Sequence, residues 1–235
     1  MNMDQEARIQ RDYYADTAQA YEGMHDAEEH KFCLSFLLGC TDYFGWQSIL
    51  DVGTGTGRNL NRMAERRPNL ILKGVEPADG LREQGYRSGI PQEMLVAGDG
   101  TALQFADGEF DVVCSFGVLH HIKQPEMAVA EMLRVAKKAV FISDSNNFGQ
   151  GSFGKRAFKQ AAHALGLWRA VNLISTRGKG YMISEGDGLF YSYSVFNNYK
   201  QIKSQCKSIH IFNPVNGGFN PYRTATHVGL LGVKK

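Results

Sequence analysis

Short apolar runs alternate along the chain with longer segments in which apolar residues recur every three to four positions. The short runs indicate buried strands, and the three-to-four spacing indicates amphipathic helices. Their alternation is typical of βα units around a parallel sheet. We therefore predict five strands, at residues 48–52, 70–75, 94–97, 110–116 and 139–143, with helices between them at about 57–66, 79–87 and 125–137.

The two ends of the chain add to this predicted core at 46–143. Apolar stripes through residues 7–24 and 32–40 predict two helices, which we interpret as a helical lid over 1–45. The segment 144–194 breaks the rhythm and is interpreted as an insertion that covers the substrate. A helix at 195–206 and strands at 209–213 and 226–233 would then complete a single domain over 1–235.

Composition narrows the class of protein. A chain of 235 residues with 43% hydrophobic residues can bury the core of one large α/β domain. The formal net charge of +2 gives no global field, so we expect no nucleic-acid partner. The acidic first thirty residues do not resemble a signal peptide, and no apolar run is long enough to span a bilayer. We therefore expect a cytoplasmic protein.

The most informative motif is ILDVGTGTGRN at residues 49–59, where a strand runs into a glycine-rich turn and then a helix. Gly53, Gly55 and Gly57 would let a ligand approach the backbone closely. The spacing is GxGxG with Arg58 next, so the GxGxxG dinucleotide fingerprint fails by one position. A tight turn without a ligand is the alternative interpretation.

The next two predicted strands also end in acidic residues. Glu76 lies 23 positions after Gly53, where a carboxylate can accept hydrogen bonds from both hydroxyls of a ribose. Asp99, followed by Gly100, could accept from the amino group of a base. A solvated glutamate and an ordinary Asp-Gly turn are the alternatives. Three such strand ends in succession favour a ligand site.

The segments DVGTGTGRNL, GVEPADGL, AGDGTALQFADGEFDVVCSFGVLHHI and EMLRVAKKAVFISDS resemble the motifs of class I S-adenosylmethionine-dependent methyltransferases. The resemblance is particularly to the type 11 group, which includes quinone-biosynthesis methyltransferases. It covers about residues 10–145 and returns at 195–235. It implies a Rossmann-like, doubly wound α/β fold with a seven-stranded, mostly parallel sheet whose last strand is antiparallel, and methyl transfer from S-adenosylmethionine.

The same resemblance implies a role for each matching residue. The glycines with Thr54 would line the methionine part of the cofactor, Asp51 would stabilise their turn, and Phe116 would lie beside the amino-acid end. Glu76 followed by Pro77 would hold the ribose, Asp99 and Gly100 the adenine, and Tyr21 would help to cover the site. The implied cofactor-binding set is Asp51, Gly53, Thr54, Gly55, Gly57, Glu76, Pro77, Asp99, Gly100, Phe116 and Tyr21.

A hydroxyl acceptor must lose a proton during methyl transfer, and a positioned histidine can take it. His120 and His121 follow the fourth strand at the edge of the sheet where α/β folds bind ligands. In some relatives such a histidine works with a tyrosine of the N-terminal lid, so our hypothesis pairs His121 with Tyr13 or Tyr14. Alternatively, the two histidines only shape the pocket. We expect no metal site, because neighbouring side chains diverge on an extended chain.

The insertion carries the evidence on substrate and partners. It has no acidic residue between Asp144 and Glu185, but six basic residues within 155–179. Such a field suits an anionic or lipid-like small molecule, or a peripheral contact of 155–179 with a membrane. A solvated helix face is the alternative. Two rival functions remain: a cofactor-binding protein without catalysis, and a nicotinamide-dependent oxidoreductase, which Arg58 and the Asp99–Gly100 turn disfavour.

Overall fold

The structure is a computed structural model in which residues 9, 10, 13, 14, 17, 28–215 and 219–235 are described. The five described positions before residue 28 are helical. Most of the first predicted helix, including Tyr21, lies outside the described residues. The second predicted helix is present as α1, Glu28–Phe44.

A seven-stranded sheet forms the centre of the fold, in the order β3-β2-β1-β4-β5-β9-β8. Strands β1 to β5 are parallel, and β9 runs antiparallel to both of its neighbours. The predicted fold class, with its reversed last strand, is therefore confirmed. The seven strands are β1 (Ser48–Val52), β2 (Ile71–Glu76), β3 (Leu95–Ala97), β4 (Phe110–Phe116), β5 (Ala136–Ser145), β8 (Cys206–Phe212) and β9 (His227–Lys234).

Helices cover both faces of the sheet because alternate side chains of each buried strand point to opposite sides. In β1, for example, Ile49 packs with Leu34 and Met63 in one apolar cluster, whereas Leu50 packs with Met132 in the other. The helices after α1 are α2 (Arg58–Arg66), α3 (Asp79–Arg87), α4 (Pro125–Val135), α5 (Phe153–Ala164), α6 (Trp168–Ser175), α7 (Tyr199–Gln205) and α8 (Pro221–Thr224).

The insertion contains more regular structure than the sequence indicated. Helices α5 and α6 are followed by an antiparallel hairpin of β6 (Tyr181–Ser184) and β7 (Gly188–Tyr191). It begins after Ser145 rather than at 144, because β5 extends two residues beyond the predicted strand to pair with β9. Among the described residues, no helix is long and apolar enough to cross a membrane.

Element boundaries differ from the prediction mainly where a helix and a strand follow each other without a loop. Helix α4 ends at Val135 rather than 137, and β5 begins at the next residue. The predicted helix at 195–206 is a 3-10 turn, Val195–Asn198, followed by α7, and β8 begins at Cys206. Apolar periodicity does not mark these junctions because both elements bury the residues that join them.

Candidate functional site

The glycine-rich turn joins β1 to α2 in a conformation that favours glycine. Gly53, Gly55 and Gly57 have φ angles of 72°, 62° and 77°, in the left-handed region where a Cβ adds strain. The N–H groups of Gly53 and Thr54 donate to the carbonyl oxygen of Val75 over 2.8 and 3.1 Å. The turn predicted from the sequence is therefore present, and its backbone is anchored to the end of β2.

The buried carboxylates of Asp51 and Glu76 accept hydrogen bonds from residues of this turn. The hydroxyl of Thr54 donates to Oδ2 of Asp51 over 2.7 Å. The N–H groups of Gly55 and Ala78 donate to Oε2 and Oε1 of Glu76 over 3.0 and 2.9 Å. Each oxygen of Glu76 thus accepts one backbone hydrogen bond, and a carboxylate oxygen can accept two. The geometry leaves Glu76 the acceptor capacity that two ribose hydroxyls require.

Burial changes the acidity of both carboxyl groups. It raises the pKa of Asp51 and of Glu76 to about 7, because the charged form loses its hydration. Asp51 adds to the effect at Glu76 by charge repulsion. Pro77 is exposed beside Glu76 and has no N–H group, so the next amide, that of Ala78, is the one that binds the carboxylate.

The turn after β3 holds the two residues expected at the adenine. Asp99 is exposed, and its Oδ1 accepts from the N–H and the hydroxyl of Thr101 over 2.8 and 2.7 Å. These are the bonds of an ordinary Asp-Gly turn. A Cβ on Gly100 would lie 2.8 Å from Cγ1 of Val52, so this turn packs directly against the end of β1.

One cleft brings the glycine-rich turn and the histidine pair together. It lies at the carboxyl edge of the sheet, where the segment after β4 faces the turn after β1. Phe116 is half-buried in its wall, as its place at the end of β4 predicts. Residues that line the cleft include Gly53, Thr54, Phe116, His120, His121 and Asp187.

Asp144 anchors the segment that carries the histidines. It is fully buried at the end of β5. Its Oδ2 accepts from the N–H groups of Val118 and Leu119 over 3.1 and 2.8 Å, and its Oδ1 lies 2.7 Å from Nδ1 of His120. Burial alone would lower the pKa of His120, but the carboxylates of Asp144 and Asp187 outweigh it and raise that pKa to about 10. Burial opposes ionisation of Asp144 too, yet His120 brings its pKa down to about 2.

The insertion hairpin closes the cleft over His121. Nδ1 of His121 lies 2.7 Å from the carbonyl oxygen of Leu189 and 3.2 Å from the amide nitrogen of Gln10. The carbonyl oxygen can only accept and is the nearer partner, so we assign the hydrogen to Nδ1. Asp187, between β6 and β7, lies 3.4 Å from Nε2 of His121 and 3.4 Å from Nε2 of His120. Burial and the neighbouring His120 lower the pKa of His121. The pKa values of these two adjacent histidines are therefore shifted in opposite directions.

The expectation that the two histidine side chains diverge is wrong. Residues Leu119–His121 form a 3-10 helix rather than an extended segment, and the ring centroids of His120 and His121 are only 4.0 Å apart. Asp144 and Asp187 are site residues that the sequence reasoning missed. Asp144, like Glu76, is an acidic residue at the carboxyl end of a buried strand, and this was the signal that could have revealed it.

The tyrosines divide between two roles. The hydroxyl of Tyr13 donates to the carbonyl oxygen of Glu185 over 2.6 Å, so Tyr13 contacts the insertion hairpin. Tyr14 lines the cleft, with its ring edge-on to His121 at 5.9 Å. Of the two tyrosines considered as partners of His121, Tyr14 is the one that faces the cleft.

Comparison with known proteins identifies a methyltransferase domain in the chain. A methyltransferase domain family matches residues 50–142. The chain is 41% identical over 92 residues to a demethylmenaquinone methyltransferase of Renibacterium salmoninarum, and 35% identical over 114 residues to a malonyl-[acyl-carrier protein] O-methyltransferase of Geobacter sulfurreducens. These alignments cover 39% and 48% of this chain, but only 37% and 40% of the relatives' lengths.

The fold is also found among solved structures. Magnesium protoporphyrin IX methyltransferase of Synechocystis, solved with bound SAH, has a TM-score of 0.61 to this chain at 14% identity. The match covers 97% of this chain and all of that one. Residues 50–142 therefore match a methyltransferase domain, and the chain shares the fold of a solved S-adenosylmethionine-dependent methyltransferase.

Proposed function

We propose that the protein transfers the methyl group of S-adenosylmethionine to an oxygen atom of a small molecule. The observation that carries this proposal is the single cleft in which the glycine-rich turn faces His120 and His121. One side offers backbone and carboxylates suited to the cofactor, and the other offers groups that can bind an acceptor and receive its proton.

We assign the cofactor to the end of the cleft that Asp51, Gly53, Thr54 and Phe116 line, with the other described members of the predicted binding set outside this lining. The backbone of Gly53, Gly55 and Gly57 would lie against the methionine part, and Glu76 would bind the ribose through the lone pairs that its two backbone hydrogen bonds leave free. Asp99 would bind the adenine beside the end of β1. S-adenosylmethionine supplies an electrophilic methyl group that needs little further activation, so the protein mainly has to align the acceptor and exclude water. Such alignment can contribute about 7 to 11 kcal/mol.

Methyl transfer to a hydroxyl releases one proton at the acceptor end of the cleft. As the acceptor oxygen bonds to the methyl carbon, the carbon–sulfur bond breaks, S-adenosylhomocysteine leaves, and the hydroxyl proton has to be removed. In this proposal Nε2 of His121, which lies 3.4 Å from Asp187, receives that proton, and the ring of Tyr14 lies beside it. His120, held by Asp144, completes the wall of this end. Tyr13 has a supporting role in this proposal because its hydroxyl binds the insertion hairpin.

The surface of the insertion supports an anionic, lipid-like acceptor at a membrane. All residues of α6 are described, and every one is exposed or half-buried. Residues 155–179 contain six basic residues and no acidic residue. This composition resembles that of helices that lie in the interface of anionic membranes. The exposed large apolar side chains of the insertion are Phe153, Phe158, Leu165, Leu167, Leu173, Ile174, Met182 and Ile183.

Calorimetric titration with S-adenosylhomocysteine tests the cofactor, with NAD and a Gly55→Arg variant as controls. We expect binding of S-adenosylhomocysteine alone, abolished by the arginine in the turn. Binding of NAD instead would support an oxidoreductase and refute the proposal. If the cofactor binds but no hydroxylated anionic or lipid acceptor is turned over, the non-catalytic binding protein is favoured.

Sedimentation with vesicles tests the membrane contact. We expect the protein to bind vesicles of phosphatidylcholine with phosphatidylglycerol but not phosphatidylcholine alone, and Ile174→Glu to abolish binding. Ile174 is 80% exposed. The matched control is Ile71→Glu, because Ile71 is 66% exposed but lies in β2. Equal loss in both variants, or no binding by the wild type, would contradict a membrane surface on the insertion.

A further inference from the structure

Three potential metal ligands converge at the acceptor end of the cleft. Nε2 of His120 lies 3.4 Å from Oδ2 of Asp187, and Nε2 of His121 lies 3.4 Å from Oδ1 of the same carboxylate. One ligand atom from each of the three residues lies within 4.8 Å of the others. In the sequence, Asp187 is more than sixty residues from the histidines, so the insertion hairpin creates this cluster.

The other ring nitrogen of each histidine is already bound. Nδ1 of His120 lies 2.7 Å from the buried carboxylate of Asp144, and Nδ1 of His121 lies 2.7 Å from the carbonyl oxygen of Leu189. Both partners accept hydrogen bonds, so both Nδ1 atoms carry hydrogen. Metal-binding histidines usually donate their second N–H to a carboxylate or a carbonyl in this way, which fixes the tautomer and directs the remaining lone pair at the ion.

This bonding leaves at least one mismatch at Asp187. With hydrogen on both Nδ1 atoms, an imidazole that stays neutral presents a lone pair at Nε2 to the ionised carboxylate. A proton on one Nε2 satisfies one contact and leaves the other as a lone pair opposite Asp187. A single cation bound by all three groups would satisfy every contact.

We propose that His120, His121 and Asp187 bind a divalent transition metal ion, with zinc as the best match. Imidazole nitrogen and carboxylate oxygen are usual zinc ligands at about 2.0 to 2.2 Å, and ligands at that range on a tetrahedron are about 3.4 Å apart. Two histidines and one carboxylate leave a coordination position open, and these residues line the cleft. Asp144 and Leu189 act as positioning residues that hold the two rings.

The ion would place and activate the acceptor, a consequence that rests on the proposed function. A hydroxyl bound at the open position would lose its proton to solvent more readily, because the cation would stabilise the oxyanion. The oxygen would then bond to the methyl carbon as the carbon–sulfur bond breaks and S-adenosylhomocysteine leaves. On this proposal His121 acts as a ligand at the acceptor and is not required as a free base.

The test measures metal binding without cofactor or acceptor, so it is independent of the proposed activity. Untagged protein is stripped with EDTA, dialysed and titrated with zinc chloride by calorimetry, and the bound zinc is counted by elemental analysis. Asp187→Asn and His121→Ala each remove one ligand. His210→Ala is the matched control, because His210 is exposed in β8. Circular dichroism and S-adenosylhomocysteine titration show whether each variant is folded.

We expect one zinc per chain in the wild type and in His210→Ala, and at least tenfold weaker binding in each ligand variant. Cobalt substitution should give the intense visible absorption of a tetrahedral site, also lost on Asp187→Asn. Absence of stoichiometric zinc in the wild type, or unchanged affinity in either folded ligand variant, would overturn the proposal and leave the three groups as a proton-held ion pair. Failure of the proposed activity would appear separately, as lack of S-adenosylhomocysteine binding or of turnover.

Discussion

Replacing Asp144 with asparagine should remove hydrogen bonds that hold residues 118–120 to the end of β5. The carboxylate accepts four hydrogen bonds: at Oδ2 from the N–H groups of Val118 and Leu119, and at Oδ1 from Nδ1 of His120 and the N–H of Ser145. An asparagine side chain has one oxygen and one NH₂ group. Whichever way the amide is turned, its NH₂ faces two donors, so two of the four hydrogen bonds are lost.

The magnitude follows from this count. A hydrogen bond to a charged group contributes about 1.5 to 3 kcal/mol, so two lost bonds correspond to about 3 to 6 kcal/mol. His120 can give up its charge when the carboxylate is gone, which offsets part of the loss. We expect Asp144→Asn to lower the free energy of unfolding by about 3 to 5 kcal/mol, the range for breaking a buried charged pair.

Urea unfolding of the metal-free protein, followed by circular dichroism, measures the change, with Asp187→Asn as the control. Asp187 also contacts His120, but over 3.4 Å and with 39% of its side chain exposed, so we expect a loss of about 1 kcal/mol or less. In an NMR titration, the pKa of His120 should fall in Asp144→Asn. A loss below about 1 kcal/mol for Asp144→Asn, or an equal loss in both variants, would refute the reasoning.

Three further outcomes test the site. Gly53→Ala should weaken S-adenosylhomocysteine binding by more than about tenfold, because the new Cβ would lie 2.5 Å from a neighbouring side chain. Gly45→Ala is the control: Gly45 has a similar φ, but a Cβ there would meet no atom within 4 Å, so binding in the same calorimetry should be normal. Glu76→Gln should also lose about tenfold in affinity; unchanged affinity would argue against its ribose role. Since the pKa of His120 is raised from 6.5 to about 10, its contribution to stability is full below pH 6.5 and is lost as the pH rises through about 10. The difference in unfolding free energy between wild type and Asp144→Asn should therefore become smaller over that range, and a constant difference would contradict the assignment.

The sequence by itself determined the features that depend on local pattern. Apolar runs and helical periodicity predicted the strands of the sheet, since alternate burial requires those spacings. Gly53, Gly55 and Gly57 marked the turn, because their left-handed backbone conformations strongly favour glycine. Glu76 stood out because it lies at the carboxyl end of a buried strand. Each of these signals lies within a few residues of the feature that it predicts.

Only the tertiary structure decided which groups meet at the acceptor end of the cleft. Asp144 reaches His120 because β5 lies beside β4, and Asp187 arrives on a hairpin of the insertion, for which apolar periodicity gave no prediction. The 3-10 helix that sets the two histidines side by side is also too short to show a period. Such contacts join residues far apart in the chain, so they depend on how the elements pack, which local patterns do not encode.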